Sequence, residues 1–263
     1  MQAGNRRGRK TTDLIKEDGG EEMEKRFVLV TGASGGIGRA ISAKLAHEGY
    51  SLYLHYNKNR QGAEQLAKEL QHLDIELIPV QADLGEPNGY KTLAQNIFSL
   101  HSVVLNSGMS HYGLISEADH ETVRQMVQLN ITSPYELTRE LLPKLFNQES
   151  ASIVAITSIW GQTGASCEAL YSMVKGGQNA FVKALSKELS LNGIRVNAVA
   201  PGAISTSMME TFSKDELESI KESVPMGRIG LPDEVAEAVS FLLSQKASYI
   251  TGQILGVNGG WYT

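Results

Sequence analysis

The sequence of 263 residues holds a single cysteine, Cys167, which excludes an internal disulfide and fits a reducing compartment. It has no basic excess: 24 Lys and Arg stand against 29 Asp and Glu, for a net charge of -5. Nucleic acid, whose phosphates need a basic footprint, is set aside as the principal partner. No apolar run approaches the ~20 residues of a membrane-spanning helix. The polar start, Met1 to Lys25, lacks the apolar core of a signal peptide. The six histidines show no HExxH or similar ligand spacing, so no metal is expected. These absences point to a cytoplasmic protein with neither a membrane nor a nucleic-acid partner.

What remains is enough for a real core, since 41% of the residues are hydrophobic and 20% charged. Residues 1–22 carry five basic and five acidic side chains without helical or strand period, and read as a solvated, disordered tail. Met23 is then read as a native start. From residue 23 to 263 a single domain is expected, without repeats or low-complexity linkers. Strands are read at Phe27–Val30, Ser51–His55, Ile75–Val80, Val103–Leu105, Ser152–Thr157, Ile194–Ala200 and Gln253–Val257. Helical patterns cover Ile37–His47, Gln61–Leu73, Ser133–Phe146, Tyr171–Ser190 and Asp233–Ser244. Near-continuous apolar strands separated by helices predict an α/β fold, a doubly wound Rossmann-type domain with a parallel sheet.

Thr31-Gly32-Ala33-Ser34-Gly35-Gly36-Ile37-Gly38 lies between the first strand and the first helix. Such a turn lets a pyrophosphate approach the backbone at a helix N-terminus, where free amides and the dipole attract anions. After the second strand, NAD enzymes usually offer a carboxylate to the ribose 2′-hydroxyl. Here His55-Tyr56-Asn57-Lys58-Asn59-Arg60 has no acid and two bases. The missing acid favours NADP(H) over NAD(H). Lys58 or Arg60 either pairs with the 2′-phosphate or is an ordinary solvated loop charge.

Tyr171 and Lys175, four apart, share one face of a long helix. A free tyrosine hydroxyl has a pKa of about 10, and a nearby ammonium is expected to lower it toward a useful range. Ser158 follows a strand C-terminus, where doubly wound sheets place ligands. It could hydrogen-bond a substrate carbonyl beside the tyrosine, or simply form a turn. Asn130 sits in a helical pattern where an amide is mildly unfavourable, so it faces solvent or uses its side chain for something.

Together these motifs resemble the classical short-chain dehydrogenase/reductases over residues 25–263. The resemblance runs in order through the glycine turn, Asp83, Asn106-Ser107-Gly108, Asn130, Ser158, Tyr171-x-x-x-Lys175 and Pro201-Gly202-x-Ile204-x-Thr206. Leu105 departs from it, standing where the family usually has the first of two asparagines. The resemblance implies that Tyr171 gives its proton to a carbonyl, that Ser158 polarises that carbonyl, and that Lys175 holds the nicotinamide ribose and tunes Tyr171. Asn130 would anchor a water in the proton relay. Cofactor contacts would come from Gly32, Ser34, Gly36, Ile37 and Gly38, from Tyr56, Asn57 and Lys58, and from Asp83 and Leu84. Asn106, Ser107, Gly108, Tyr171, Lys175, Pro201, Gly202, Ile204 and Thr206 would complete the set. A homotetramer is implied as well.

Two resemblances bear on the substrate. Pro225-Met226-Gly227-Arg228 and the stretch Ala247 to Gly260 resemble the 3-oxoacyl-acyl-carrier-protein reductases. Reductases that take the acidic carrier usually show bases where this chain has Glu149 and Asn192, which counts against carrier docking. Ser158 to Glu168, with Ser110-His111-Tyr112-Gly113, resembles the elongation factor P 5-aminopentanone reductases. Their substrate, a ketone on a modified lysine of elongation factor P, ends in a charged amine that Glu168 could pair with. Glu168 also reads as a helix N-terminal acid satisfying the dipole. Trp160 and His111 are candidate substrate-pocket residues. The expected activity is reduction of a small or protein-linked ketone, with 3-oxoacyl reduction as the alternative. A non-catalytic dinucleotide sensor is the reading from another class.

Overall fold

The computed structural model describes residues 14–15, 23–207, 209 and 212–263. The rest of the stretch read as a tail, residues 1–13 and 16–22, lies outside the described residues. Leu14–Ile15 pairs antiparallel with Met23–Glu24, apart from the main sheet.

The main sheet has seven strands: β1 (Phe27–Val30), β2 (Ser51–Tyr56), β3 (Leu77–Gln81), β4 (Ser102–Leu105), β5 (Ala151–Ile156), β6 (Ile194–Pro201) and β7 (Ile254–Val257). Their order is β3-β2-β1-β4-β5-β6-β7, and every pair is parallel. Residues of β1, β2, β4, β5 and β6 are buried throughout, because helices cover both faces. Alternate residues feed two cores. Leu29, Val103, Ile153 and Val196 pack with α3 (Gly89–Gln95), α5 (Ser133–Leu145) and α7 (Ala169–Leu189) through Leu93, Leu137, Leu141, Val182 and Leu185. Val30, Leu54, Val104 and Val199 pack with α1 (Gly36–His47), α2 (Arg60–Leu70) and α9 (Pro232–Leu243) through Ile41, Leu45, Leu66, Val235 and Val239. Each such aliphatic side chain, fully buried, contributes roughly 1.5–3 kcal/mol. The Arg195 guanidinium of β6 ties α9 to the sheet by donating to the carbonyls of Leu242, Leu243 and Ser244, at the negative end of the helix dipole.

The strand order reverses at β1, which lies between β2 and β4, and all strand C-termini face one edge. That edge is where a doubly wound sheet opens a ligand crevice. Thr31, Asp83, Asn106, Ser158 and Gly202 all fall there, just beyond the ends of β1, β3, β4, β5 and β6. Among the described residues no helix is long and apolar enough to cross a membrane.

Candidate active site

The glycine turn is held by its neighbours. Thr31 Oγ1 accepts from the Asn106 and Ser107 amides at 2.8 and 2.9 Å, and Asn106 Nδ2 donates to Thr31 O at 2.9 Å. Leu105 ends β4 as a buried core residue, and Asn106 alone supplies the side-chain amide here. His55, which sequence reasoning passed over, closes the opposite wall. Its Nδ1 accepts from Gly32 N–H at 3.0 Å, so Nε2 carries the proton and donates to Ala82 O at 3.1 Å. Burial pushes the imidazole down to about 4, keeping it neutral.

This cradle fits a dinucleotide pyrophosphate. A Cβ on Gly38 would lie 2.1 Å from Gly32 O, and one on Gly36 would lie 2.8 Å from Thr206 Cγ2. The N-terminus of α1 has no side-chain cap and no acid in its first turn, which leaves the amides of Gly36, Ile37 and Gly38 for an anion. Ser34 is partly exposed on the same turn. The segment Pro201–Thr206 reaches this place because Gly202 N donates to Val257 O, Ser205 N donates to Gly230 O, and Ile204 bridges Gly230. Tyr56, the last residue of β2, is buried, and residues 57–60 beyond it are exposed. Arg60 is engaged with Glu64 at 2.7 Å, which leaves Lys58 as the base without a charged partner on its own loop. Asp83 Oδ1 accepts from Gly85 N at 2.8 Å, and Leu84 is buried, its carbonyl accepting from Ser133 Oγ.

Across the crevice, the structure brings Ser158, Tyr171, Lys175 and Asn130 together. Ser158 lies two residues past the end of β5, and its hydroxyl, which accepts from Trp160 N–H at 3.2 Å, is close enough to Tyr171 to act on the phenol. Lys175, one turn along α7, donates to Ile156 O at 2.9 Å and to Gln178 Oε1 at 3.0 Å. Burial pushes this ammonium down to about 8. Asn130 occupies a π-turn, Gln128–Thr132, inserted between α4 (His120–Val127) and α5. π-turns favour functional positions, and here the turn buries Asn130 completely instead of leaving it on a solvent face. Its Nδ2 donates to Met126 O at 3.0 Å, its backbone carbonyl accepts from Gln178 Nε2 at 2.7 Å, and its Oδ1 is buried without a partner. That orphaned acceptor faces Gly108: a Cβ there would stand 3.0 Å from Asn130 Oδ1 and 3.6 Å from Lys175 Nζ.

One expectation is corrected. The Tyr171 phenol is not brought down toward neutrality, although Lys175 Nζ lies over its ring, 5.6 Å from the centroid. Burial instead pushes the phenol up to about 12, the Ser158 hydroxyl opposes it, and the nearby charge of Glu168 adds to the rise. At neutral pH Tyr171 therefore carries its proton, the form an acid needs.

The substrate side is built by the loop that joins β5 to α7. Glu168 stands at the N-terminus of α7, yet its side chain makes no capping bond to the helix. Its carboxylate lies beside the Trp160 indole, which lowers its pKa, while burial, the larger effect, raises it. Trp160, opening the short α6 (Trp160–Thr163), meets Trp261 edge-on with centroids 5.1 Å apart. Cys167, with φ +61°, accepts on its carbonyl from Gly113 N at 2.7 Å, tying the His111 loop to this one. His111 is only partly exposed, and its Nε2 is buried without a partner. Glu149 and Asn192 are exposed at the far, N-terminal ends of β5 and β6. Among the described residues no group of three His, Cys, Asp or Glu side chains is placed to hold a metal ion.

A family model described as "Enoyl-(Acyl carrier protein) reductase" matches residues 32–262. The chain is 56% identical over 239 residues to the "Uncharacterized oxidoreductase YmfI" of Bacillus subtilis (strain 168), covering 90% of this chain and 99% of that protein. It is 34% identical over 241 residues to the 3-oxoacyl-[acyl-carrier-protein] reductase FabG of Staphylococcus epidermidis, covering 90% of this chain and 99% of that one. Among solved structures, the angucycline C-6 ketoreductase LanV with bound NADP superposes with a TM-score of 0.85 at 26% identity, over 90% of this chain and 95% of that chain.

Proposed function

This chain belongs to the short-chain dehydrogenase/reductase family and is an oxidoreductase, and on that premise we propose that it reduces an amine-bearing ketone with NADPH. The favoured substrate is the 5-aminopentanone on a modified lysine of elongation factor P. The observation that carries this reading is the partly buried Glu168 carboxylate, set beside the Trp160 indole and near enough to raise the Tyr171 phenol, with Trp261 packed edge-on against Trp160. A carboxylate with aromatic neighbours suits a primary ammonium, by charge and by cation–π attraction.

NADPH held in this crevice would supply a hydride for the carbonyl carbon. Tyr171 gives its proton to the carbonyl oxygen, so the C=O π bond is replaced by new C–H and O–H bonds. Ser158 orients the carbonyl and stabilises the charge that develops on its oxygen. Lys175 would hold the nicotinamide ribose, and its ammonium would offset the charge left on Tyr171. The 2′-phosphate is accepted because the loop after β2 has no carboxylate and offers Lys58, and the LanV structure carries NADP. Exposed Tyr135, Met173 and Leu255 on α5, α7 and β7 support the expected tetramer.

The FabG likeness favours a second reading, reduction of a 3-oxoacyl thioester. Glu168→Gln separates the two. On the first reading it lowers kcat/KM for a 5-aminopentan-2-one-type ketone roughly tenfold to a hundredfold and leaves a neutral ketone of equal length nearly unchanged. An equal effect on both removes the cation-pairing role.

A further inference from the structure

The Tyr171-to-Lys175 spacing draws attention to two side chains, yet a third lies on the same face of α7. Gln178 is buried, and each end of its amide meets a complementary group. Oε1 accepts from Lys175 Nζ at 3.0 Å, while Nε2 donates to the Asn130 backbone carbonyl at 2.7 Å. The opposite amide orientation would set N–H against ammonium and carbonyl against carbonyl, so chemistry fixes the assignment. The lysine is thereby anchored twice by protein atoms, at Ile156 O and at Gln178. Its third N–H is left for the crevice, where the Asn130 Oδ1 acceptor and Gly108 converge.

We propose that Gln178 is a positioning residue for the reduction, a side-chain bridge that aims the Lys175 ammonium at the cofactor and couples it to the π-turn carrying Asn130. The π-turn matters because it turns the Asn130 carbonyl out of the regular helical ladder and toward α7. A bridging amide also differs from a hydroxyl or a water in that it does not pass protons between its two ends. The route from Lys175 through Gln178 to the Asn130 carbonyl is therefore closed to proton flow, and reprotonation of Tyr171 enters from the crevice side. On α7, the titratable groups on this side of Lys175 are Tyr171 and, acting through it, Glu168. β5 and the π-turn present the Ile156 and Asn130 carbonyls, which do not titrate.

The inference rests on the role given to Lys175 above, and Tyr171→Phe serves as the control for that role. The test compares Gln178→Met, which keeps the volume and removes both hydrogen bonds, with Gln178→Glu, which keeps the acceptor for Lys175 and adds charge. Melting temperature, NADPH affinity by fluorescence titration, and the pH profile of kcat with an activated ketone are measured for each. Gln178→Met is expected to fold, to weaken NADPH binding severalfold and to lower kcat about tenfold, as misaimed catalytic groups do. Gln178→Glu is expected to keep most of kcat while moving the basic limb of the profile to higher pH, because a carboxylate beside the ammonium holds its proton. Should Gln178→Met fail to fold, the shifted limb in Gln178→Glu decides. Wild-type NADPH affinity, kcat and pH profile in the folded variants overturn the inference, provided that Tyr171→Phe is inactive. If Tyr171→Phe turns over normally, the catalytic reading itself fails instead.

Discussion

Gly32 N–H donates to His55 Nδ1 at 3.0 Å, so the first glycine amide of the phosphate-binding turn rests on a buried imidazole from the neighbouring strand. Because the other nitrogen must donate to Ala82 O, the ring is of use only when neutral. Folding lowers its pKa from 6.5 to about 4, so the neutral form favours the folded state. That contribution is complete above pH 6.5 and is lost as pH falls from there to 4. Its full size is on the order of 3 kcal/mol. Urea midpoints taken between pH 7 and 4.5 should fall more steeply for the wild type than for His55→Gln. Parallel slopes would show that His55 is not the titrating group.

Tyr171→Phe should lower kcat by roughly 10²- to 10⁴-fold while NADPH binding changes little, since only the transferred proton is removed. Ser158→Ala should cost roughly 10²-fold through lost polarisation of the carbonyl. Stopped-flow absorbance of NADPH at saturating ketone reads both effects. Full turnover by Tyr171→Phe would mean that another acid serves the site.

Lys58→Glu should weaken NADPH binding about tenfold and leave NADH binding unaltered, because only the 2′-phosphate distinguishes the two. Fluorescence titration with each coenzyme checks this. Equal changes would make Lys58 an ordinary solvated charge. Arg60, already engaged with Glu64, should matter less when replaced.

Much of the fold was legible because five of the seven strands are apolar on both faces, which only a covered parallel sheet accommodates. The edge strand β3 was read too long at its start and one residue short at its end. It pairs on one side only and tolerates Pro79, so its limits are weakly written. Four helices went unread: α3 and α6 span only seven and four residues, too short for a period to register, while α4 and α8 share another reason. α4 buries only Met126, and α8 (Lys214–Ser223) buries nothing, so neither carries an apolar stripe. Their caps were the available signals: Asp119 accepts from Thr122 N, and Ser213 forms a capping box with Glu216. In the site, Ser158, Tyr171 and Lys175 were found by spacing. His55 was missed because a polar residue ending a strand looks like surface, and Gln178 because its partner is a backbone carbonyl in a π-turn. The height of the Tyr171 pKa depends on burial, which spacing does not encode.

The central claim is that this reductase favours a ketone bearing a positive charge. The direct measurement is NADPH oxidation by the purified protein, offered in parallel elongation factor P carrying the 5-aminopentanone and a 3-oxoacyl thioester. The account predicts a kcat/KM at least tenfold higher for the modified protein, with that preference weakened by Glu168→Gln. A preference for the thioester, unchanged by Glu168→Gln, would contradict it.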